Sequence, residues 1–265
     1  MFRKYRKIMT VSLQNFMEYK FHFITSIICS FIPFGVNSLI WLAIGNYSKA
    51  GYGYSIREMI SYYFIIMIVT TIIKCEITWQ ICDEIKNGGL SKYLMKPCSY
   101  LSYHFFCDLP KRLAFIVCGF FPVLVLYLCI QDWLAISLSV QTAVLFVLSM
   151  FIGYVINFFI YYILGILSFY FSEVNGIVGA YTVVVSILSG KVFSLSLLPR
   201  GIRELLMVTP FQYVGYVPVT VMQNRYSNTE QLQVLGIGIA WILVLYGISK
   251  LIWHNGLNKY SAYGG

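Results

Sequence analysis

Apolar residues in this chain fall in long continuous blocks and do not alternate with polar ones. Six blocks stand out, at residues 23–44, 59–79, 113–130, 142–171, 174–195 and 232–253. A helix needs about 20 mainly apolar residues to cross the hydrocarbon of a bilayer. The lack of alternation argues against barrel strands. The pattern predicts an all-α integral membrane protein with six transmembrane helices, forming one unit over residues 1–265. The fourth block is long enough to tilt steeply or to project beyond the bilayer.

Three other stretches break this rhythm. The first, "MFRKYRKIMTVSLQNFMEYKF", has Tyr5, Ile8, Met9, Leu13, Phe16 and Met17 near helical spacing, with Arg3, Lys4, Lys7 and Gln14 mostly elsewhere. Residues 1–21 are therefore read as an interfacial helix, its basic groups near anionic lipid. A plain basic leader that only sets topology is the alternative. No compact apolar core precedes a small-residue cleavage site, so the segment is expected to be retained.

The second stretch is "DEIKNGGLSKYLMKPCSY", residues 83–100. Gly88-Gly89 suits a helix end. Ser91 is expected to cap a short new helix and Pro97 to stop it. Leu90, Tyr93 and Leu94 share one side of that helix, with Lys92 and Lys96 on another. A short rigid helix with apolar knobs and cations, held between two spans, suits docking into a groove on a soluble partner. The third stretch, residues 200–225, is moderately apolar but broken by Pro210, Gly215 and Pro218. Irregular backbone at membrane depth is tolerated only where protein or water covers it.

Composition agrees: the chain is 59% hydrophobic and 11% charged, with a mean hydropathy of +0.75. Soluble domains carry about 25% charged residues. A net charge of +9 is better explained by membrane orientation than by nucleic acid, and no nucleic-acid partner is expected. On a six-span topology, twelve of the 19 basic residues lie on the side of the two termini and in the 83–112 connection, against five on the other side. The positive-inside rule then places both termini in the cytoplasm. The seven cysteines are odd in number and form no CxxC pair, which points to free thiols.

Polar residues inside the blocks are the remaining candidates for chemistry. Lys191 sits toward the outer end of the fifth block. It either snorkels to the headgroups or lines a translocation path, where Glu204 could pair with it. Asn157 needs a hydrogen-bond partner, and an interhelical bond is expected ahead of substrate contact. Lys74 and Glu76 do not face each other on a continuous helix and are read as interfacial anchors. Gly176, Gly179 and Ala180 would permit close helix packing. His104 and Cys107 alone are too few for a metal site, and no hydrolase constellation is present. A P-loop needs GxxxxGK[ST]. The only Gly-Lys pair, Gly190-Lys191, is followed by Val192, so this chain is not expected to hydrolyse ATP.

"IKNGGLSKYLMKPCSY" resembles the cytoplasmic coupling segment of ABC-2-type permeases, the membrane subunits of ATP-driven exporters. "NFMEYKFHFITSII", "SGKVFSLSLLP", "TPFQYVGYVP" and "GLNKYSAYG" follow in the order seen in the viologen-exporter-like branch of that family. The chain departs from the pattern at Ser194, where a proline often follows the aromatic residue. The resemblance implies a cytoplasmic coupling helix between helices 2 and 3 and short re-entrant helices between helices 5 and 6. It also implies a second permease, identical or homologous, and separate nucleotide-binding ATPase subunits. ATP and magnesium would sit on those subunits, with no cofactor on this chain. Lys86, Gly88, Gly89, Leu90, Ser91, Lys92, Leu94, Lys96 and Pro97 become the candidate ATPase-coupling residues, and Asn157 and Lys191 the candidate path residues. The function implied is export of an amphipathic drug, peptide or lipid-like substrate across a bacterial cell membrane. A passive channel or a membrane anchor without ATP coupling is the alternative.

Overall fold

A computed structural model describes residues 2–18, 20–47, 55–136, 139–171 and 173–260. Among them the regular structure is helical throughout. α1 (Phe2–Glu18) is followed by α2 (Lys20–Tyr47). α3 (Ile56–Ile73) starts on a reciprocal cap in which Ser55 and Glu58 each accept from the other's backbone N–H, at 3.2 and 2.8 Å. α4 (Ile77–Lys86) and the single turn α5 (Ser91–Leu94) come next. α6 (Tyr100–Ile130) starts on Ser99, and α7 (Val140–Ile166) on Ser139. α8 (Asn175–Leu188), α9 (Arg200–Val208) and α10 (Tyr216–Met222) are short. α11 (Asn228–Leu257) opens on a second reciprocal cap, Ser227 with Glu230. Each cap satisfies amide donors that a helix start leaves bare.

Among the described residues five stretches are long and apolar enough to cross a membrane: Ile24–Ile44, Ile56–Lys86, Tyr100–Trp133, Val140–Phe169 and Asn228–Leu257. The sixth expected span, 174–195, is shorter than its sequence block. Its helix α8 has 14 residues and rises about 21 Å at 1.5 Å per residue, short of the roughly 30 Å hydrocarbon thickness. It ends because Gly190 takes φ +81°, a left-handed conformation that reverses the chain.

Beyond Gly190 the chain is irregular up to α10 except for α9, and hydrogen bonds tie it to the surrounding helices. Tyr62 and Tyr63 on α3 donate to the carbonyls of Gly190 and Val192, at 2.7 and 3.1 Å. Trp241 on α11 donates to Val208 O at 2.8 Å, and Tyr213 donates to Val234 O at 2.6 Å. Residues 210–221 of the broken region are thus buried in protein, as backbone without helical bonds must be in an apolar layer, whereas most of α9 is exposed. Tyr213, Val214, Val217, Val219 and Val221 are nearly or fully inaccessible there.

Two boundaries differ from the apolar blocks. The second block breaks at Lys74–Glu76, where Lys74 leaves the helical region with ψ 135°. Lys74 Nζ and Glu76 Oε1 therefore meet at 2.5 Å, correcting the expectation that they point apart, which holds only on an unbroken helix. The third block starts earlier than residue 113. α6 takes in Asp108 and Arg112, which form a two-bond ion pair at 3.0 and 3.2 Å with both side chains buried. Tyr154 also donates to Asp108, at 3.1 Å.

The core lies between α3, α4, α7 and α10, with Met59, Tyr62, Ile73, Ile81, Ile156, Phe158 and Val217 fully enclosed. α1 packs along α6 through Tyr5 on Phe106 and Phe16 on Phe115, with ring centroids 4.4 and 5.6 Å apart. Among the described residues a Cβ at Gly176 or Gly179 would meet nothing within 4 Å, whereas Gly165 on α7 is so close to Ile81 that a Cβ would lie 2.8 Å from that side chain. Within the chain, α7 is thus a site of close helix packing.

Candidate functional site

The 83–100 segment is a compact hook between α4 and α6. α4 ends at Lys86, and Gly88 turns the chain with φ +71°. Leu90 N then reaches back to Glu84 O at 2.8 Å, a closure available to a residue type that accepts left-handed backbone. The single turn α5 follows. Its capping position is Leu90, with no side-chain cap bond. The expected capping role of Ser91 is corrected: its hydroxyl faces Tyr260 Oη at 3.5 Å. Ser99 instead caps the start of α6.

Glu84 holds the hook in place. Its side chain is 7% exposed and receives four donors from three elements. Gln80 Nε2 and Tyr93 Oη reach Oε1 at 2.9 and 2.8 Å. Tyr100 Oη and His104 Nε2 reach Oε2 at 2.6 and 3.2 Å. A buried carboxylate without such donors would be prohibitively costly. An ionised carboxylate can only accept, so Nε2 of His104 carries the hydrogen, and among the described residues its buried Nδ1 has no partner. Burial and the adjacent Glu84 carboxylate push the Tyr93 phenol well above its ordinary range, which keeps it a donor. Tyr100 then stacks on Trp253 of α11 at 4.8 Å and 16°. One carboxylate ties α4, the hook and α6 together, with α11 beside them.

The candidate coupling residues divide between the inside and the outside of the hook. Leu90 is fully buried and Tyr93 nearly so. The expectation that Leu90 faces a partner beside Leu94 is corrected, because the turn at Gly88 points Leu90 inward. Leu94 is 49% exposed and its neighbour Met95 82%. Lys86, Lys92, Lys96 and Pro97 are exposed, and Gly88, Gly89 and Ser91 are half-buried. Lys96 Nζ lies over the rings of Tyr93 and Tyr103 at 4.3 and 4.7 Å, and Lys92 Nζ over Tyr93 at 4.9 Å. Such cation–π contacts are worth about 0.5–1 kcal/mol each at exposed sites, so the two ammonium groups are steered along the hook. The tip presents a small apolar pair flanked by fixed cations.

The two candidate path residues lie apart from the hook. Asn157 is buried on α7 and donates to Ile73 O at 2.8 Å, while among the described residues its Oδ1 has no partner. It covers the carbonyl left free where α3 breaks. Lys191 follows the turn at Gly190, its stem beside Gly215. Among the described residues no ion pair joins it to Glu204.

Glu84, Tyr93, Tyr100 and His104 were not singled out from sequence as a unit. Spacing carried part of the signal: Gln80 and Glu84 are four apart on one helix, and Tyr100 and His104 four apart on the next. What sequence lacks is the turn that folds one pair onto the other.

A family model described as "ABC-2 family transporter protein" matches residues 31–264. No curated protein matches the chain.

Proposed function

The chain belongs to the ABC-2 transporter family, as a multi-pass membrane permease component of an ABC transporter, and we propose that it works as the membrane subunit of an ATP-driven exporter. In this reading the hook is the cytoplasmic coupling element, and both termini lie on the same side. Nucleotide-binding subunits that carry ATP and magnesium close on each other and grip the tip at Leu94, Met95, Lys92 and Lys96. The hook moves with α4 and α6 because Glu84 binds all three. The cavity between this permease and a second one, identical or homologous, then changes the side it faces. Free energy passes through contact between bistable packings. An amphipathic drug, peptide or lipid-like molecule suits so apolar a path.

The observation that supports this reading most directly is the pairing of an exposed apolar tip with a buried carboxylate that locks it to two helices. A tip meant only to connect spans has no need of such anchoring. The test is co-reconstitution with the cognate ATPase in vesicles. The Leu94→Asp/Met95→Asp variant is expected to lower permease-stimulated ATP hydrolysis at least tenfold while the protein remains folded and monodisperse. Unchanged stimulation, or substrate movement by the permease alone without nucleotide, would overturn the reading.

A further inference from the structure

Two cavities lie along α6, one on each side of the Phe16–Phe115 contact. The first, of about 490 Å³, opens between α1, α4 and α6, within the ~300–1,000 Å³ range of small-molecule sites. Its polar lining includes Lys7, Asn15, Gln80, Tyr103 and Lys111, and Ile8, Val11 and Phe16 supply an apolar side. The second, of about 220 Å³, lies between α2, α3 and α6 and is almost wholly apolar, with Ile72, Phe115, Ile116 and Val123 among its walls. Phe16 bounds the first cavity and Phe115 the second, and their rings pack 5.6 Å apart.

We propose that the two cavities together hold one anionic phospholipid, with its phosphodiester between Lys7 and Lys111 and an acyl chain passing the Phe16–Phe115 pair into the apolar cavity. Charge argues for the head. Among the described residues two ammonium groups line the first cavity and no carboxylate does. Among the described residues neither lysine has an ion-pair partner. Glu84 lies behind Gln80 but is satisfied by four donors. Lysine serves phosphate as a point charge, and the amides of Asn15 and Gln80 and the Tyr103 hydroxyl supply directional partners. The adjoining apolar cavity argues for a lipid over a free anion. A soluble phosphate would leave it empty, whereas an acyl chain attached to the head group fills it.

The location gives such a lipid a role. The contact between α1 and α6 here includes one polar bond, from Ser12 Oγ to Cys107 O at 2.5 Å, and a head group between Lys7 and Lys111 adds a second tie. Gln80 and Tyr103, which line the head cavity, also touch the hook: Gln80 binds Glu84, and Tyr103 packs on Tyr93 at 4.8 Å. The site needs no ATPase to be tested, so its failure leaves the transport reading standing, and failure of that reading leaves the site standing.

The experiment equilibrates the full-length protein in vesicles of equal phosphatidylglycerol and phosphatidylcholine, extracts it in mild detergent, and weighs the intact complexes by native mass spectrometry. One phosphatidylglycerol per chain is expected to survive, at least tenfold over phosphatidylcholine. Lys7→Ala/Lys111→Ala is expected to lower that retention at least tenfold, and Lys7→Arg/Lys111→Arg to preserve it. Val123→Trp, which narrows the apolar cavity with both lysines intact, is expected to lower it several-fold. Equal retention of the two lipids, or undiminished phosphatidylglycerol in the double-alanine variant, would overturn the proposal. So would lysine-dependent binding of inorganic phosphate to lipid-free protein with no lipid retained, which would assign the cations to a free anion.

Discussion

The central helices and the outer helices of this protein are almost equally apolar yet bury very different shares of their surface. In the Ile56–Lys86 and Val140–Phe169 spans, 67% and 61% of the most apolar window is enclosed by the chain itself. In Ile24–Ile44 and Tyr100–Trp133 the share is 6% in each. α6 shows the contrast within one helix. Tyr100, His104, Asp108, Arg112 and Phe115 are buried, whereas Val117 and Phe121 are 74% and 70% exposed. Hydropathy alone therefore does not separate helices that build the chain's interior from helices that meet lipid or another protein. In a membrane the apolar tails compete for the same surfaces, so close packing and internal hydrogen bonds decide what becomes interior. The enclosed spans carry the tight glycine contact at Gly165 and the α3 tyrosines that satisfy broken backbone.

The sharpest way to break this comparison is to remove one phenyl ring from each region. Phe158→Ala, at a fully enclosed position, is expected to cost about 3–5 kcal/mol. Phe121→Ala is expected to cost less than about 0.5 kcal/mol. Both are read by reversible unfolding in mixed micelles. Equal losses would mean that the outer helices are packed as tightly as the central ones. A smaller effect is expected at the junction of the two regions. Tyr100→Phe removes one donor from Glu84 and should cost about 1.5–3 kcal/mol, as for a hydrogen bond to a charged group. The smallest effect belongs to the rim. Arg225 pairs with Glu58 at 2.8 Å with both side chains about a third exposed, so Arg225→Ala should shift stability by less than about 1 kcal/mol.

The helical membrane class and the five long spans were legible because uninterrupted apolar blocks leave few alternatives. Three features were not legible, each for a physical reason. The break at Lys74–Glu76 falls within a continuous apolar block, and its cause is tertiary: Asn157 on another helix covers Ile73 O. The early start of α6 was hidden because Asp108 and Arg112 read as charges that should stay in water, yet they neutralise each other one turn apart. The hook was visible as a motif, with glycines, lysines and a closing proline. Its inside and outside were not, since Leu90 and Leu94 sit on one face of an ideal helix but on opposite sides of a turn begun at Gly88. Chain order likewise gave no sign that Glu84 gathers Tyr93, Tyr100 and His104.

The interruption between α3 and α4 has a mechanical consequence. Residues 74–76 lack the ladder that stiffens a helix along its axis, so α3 and α4 meet at a joint. Sideways, by contrast, Ile81 is wedged against Gly165, and Thr78 Oγ1 donates to Tyr161 O at 2.8 Å. A displacement applied to α4 is thus handed laterally to α7 before it travels up the rod to α3. Paired spin labels should register this as a rigid separation across α4 and α7 and a variable one across the joint.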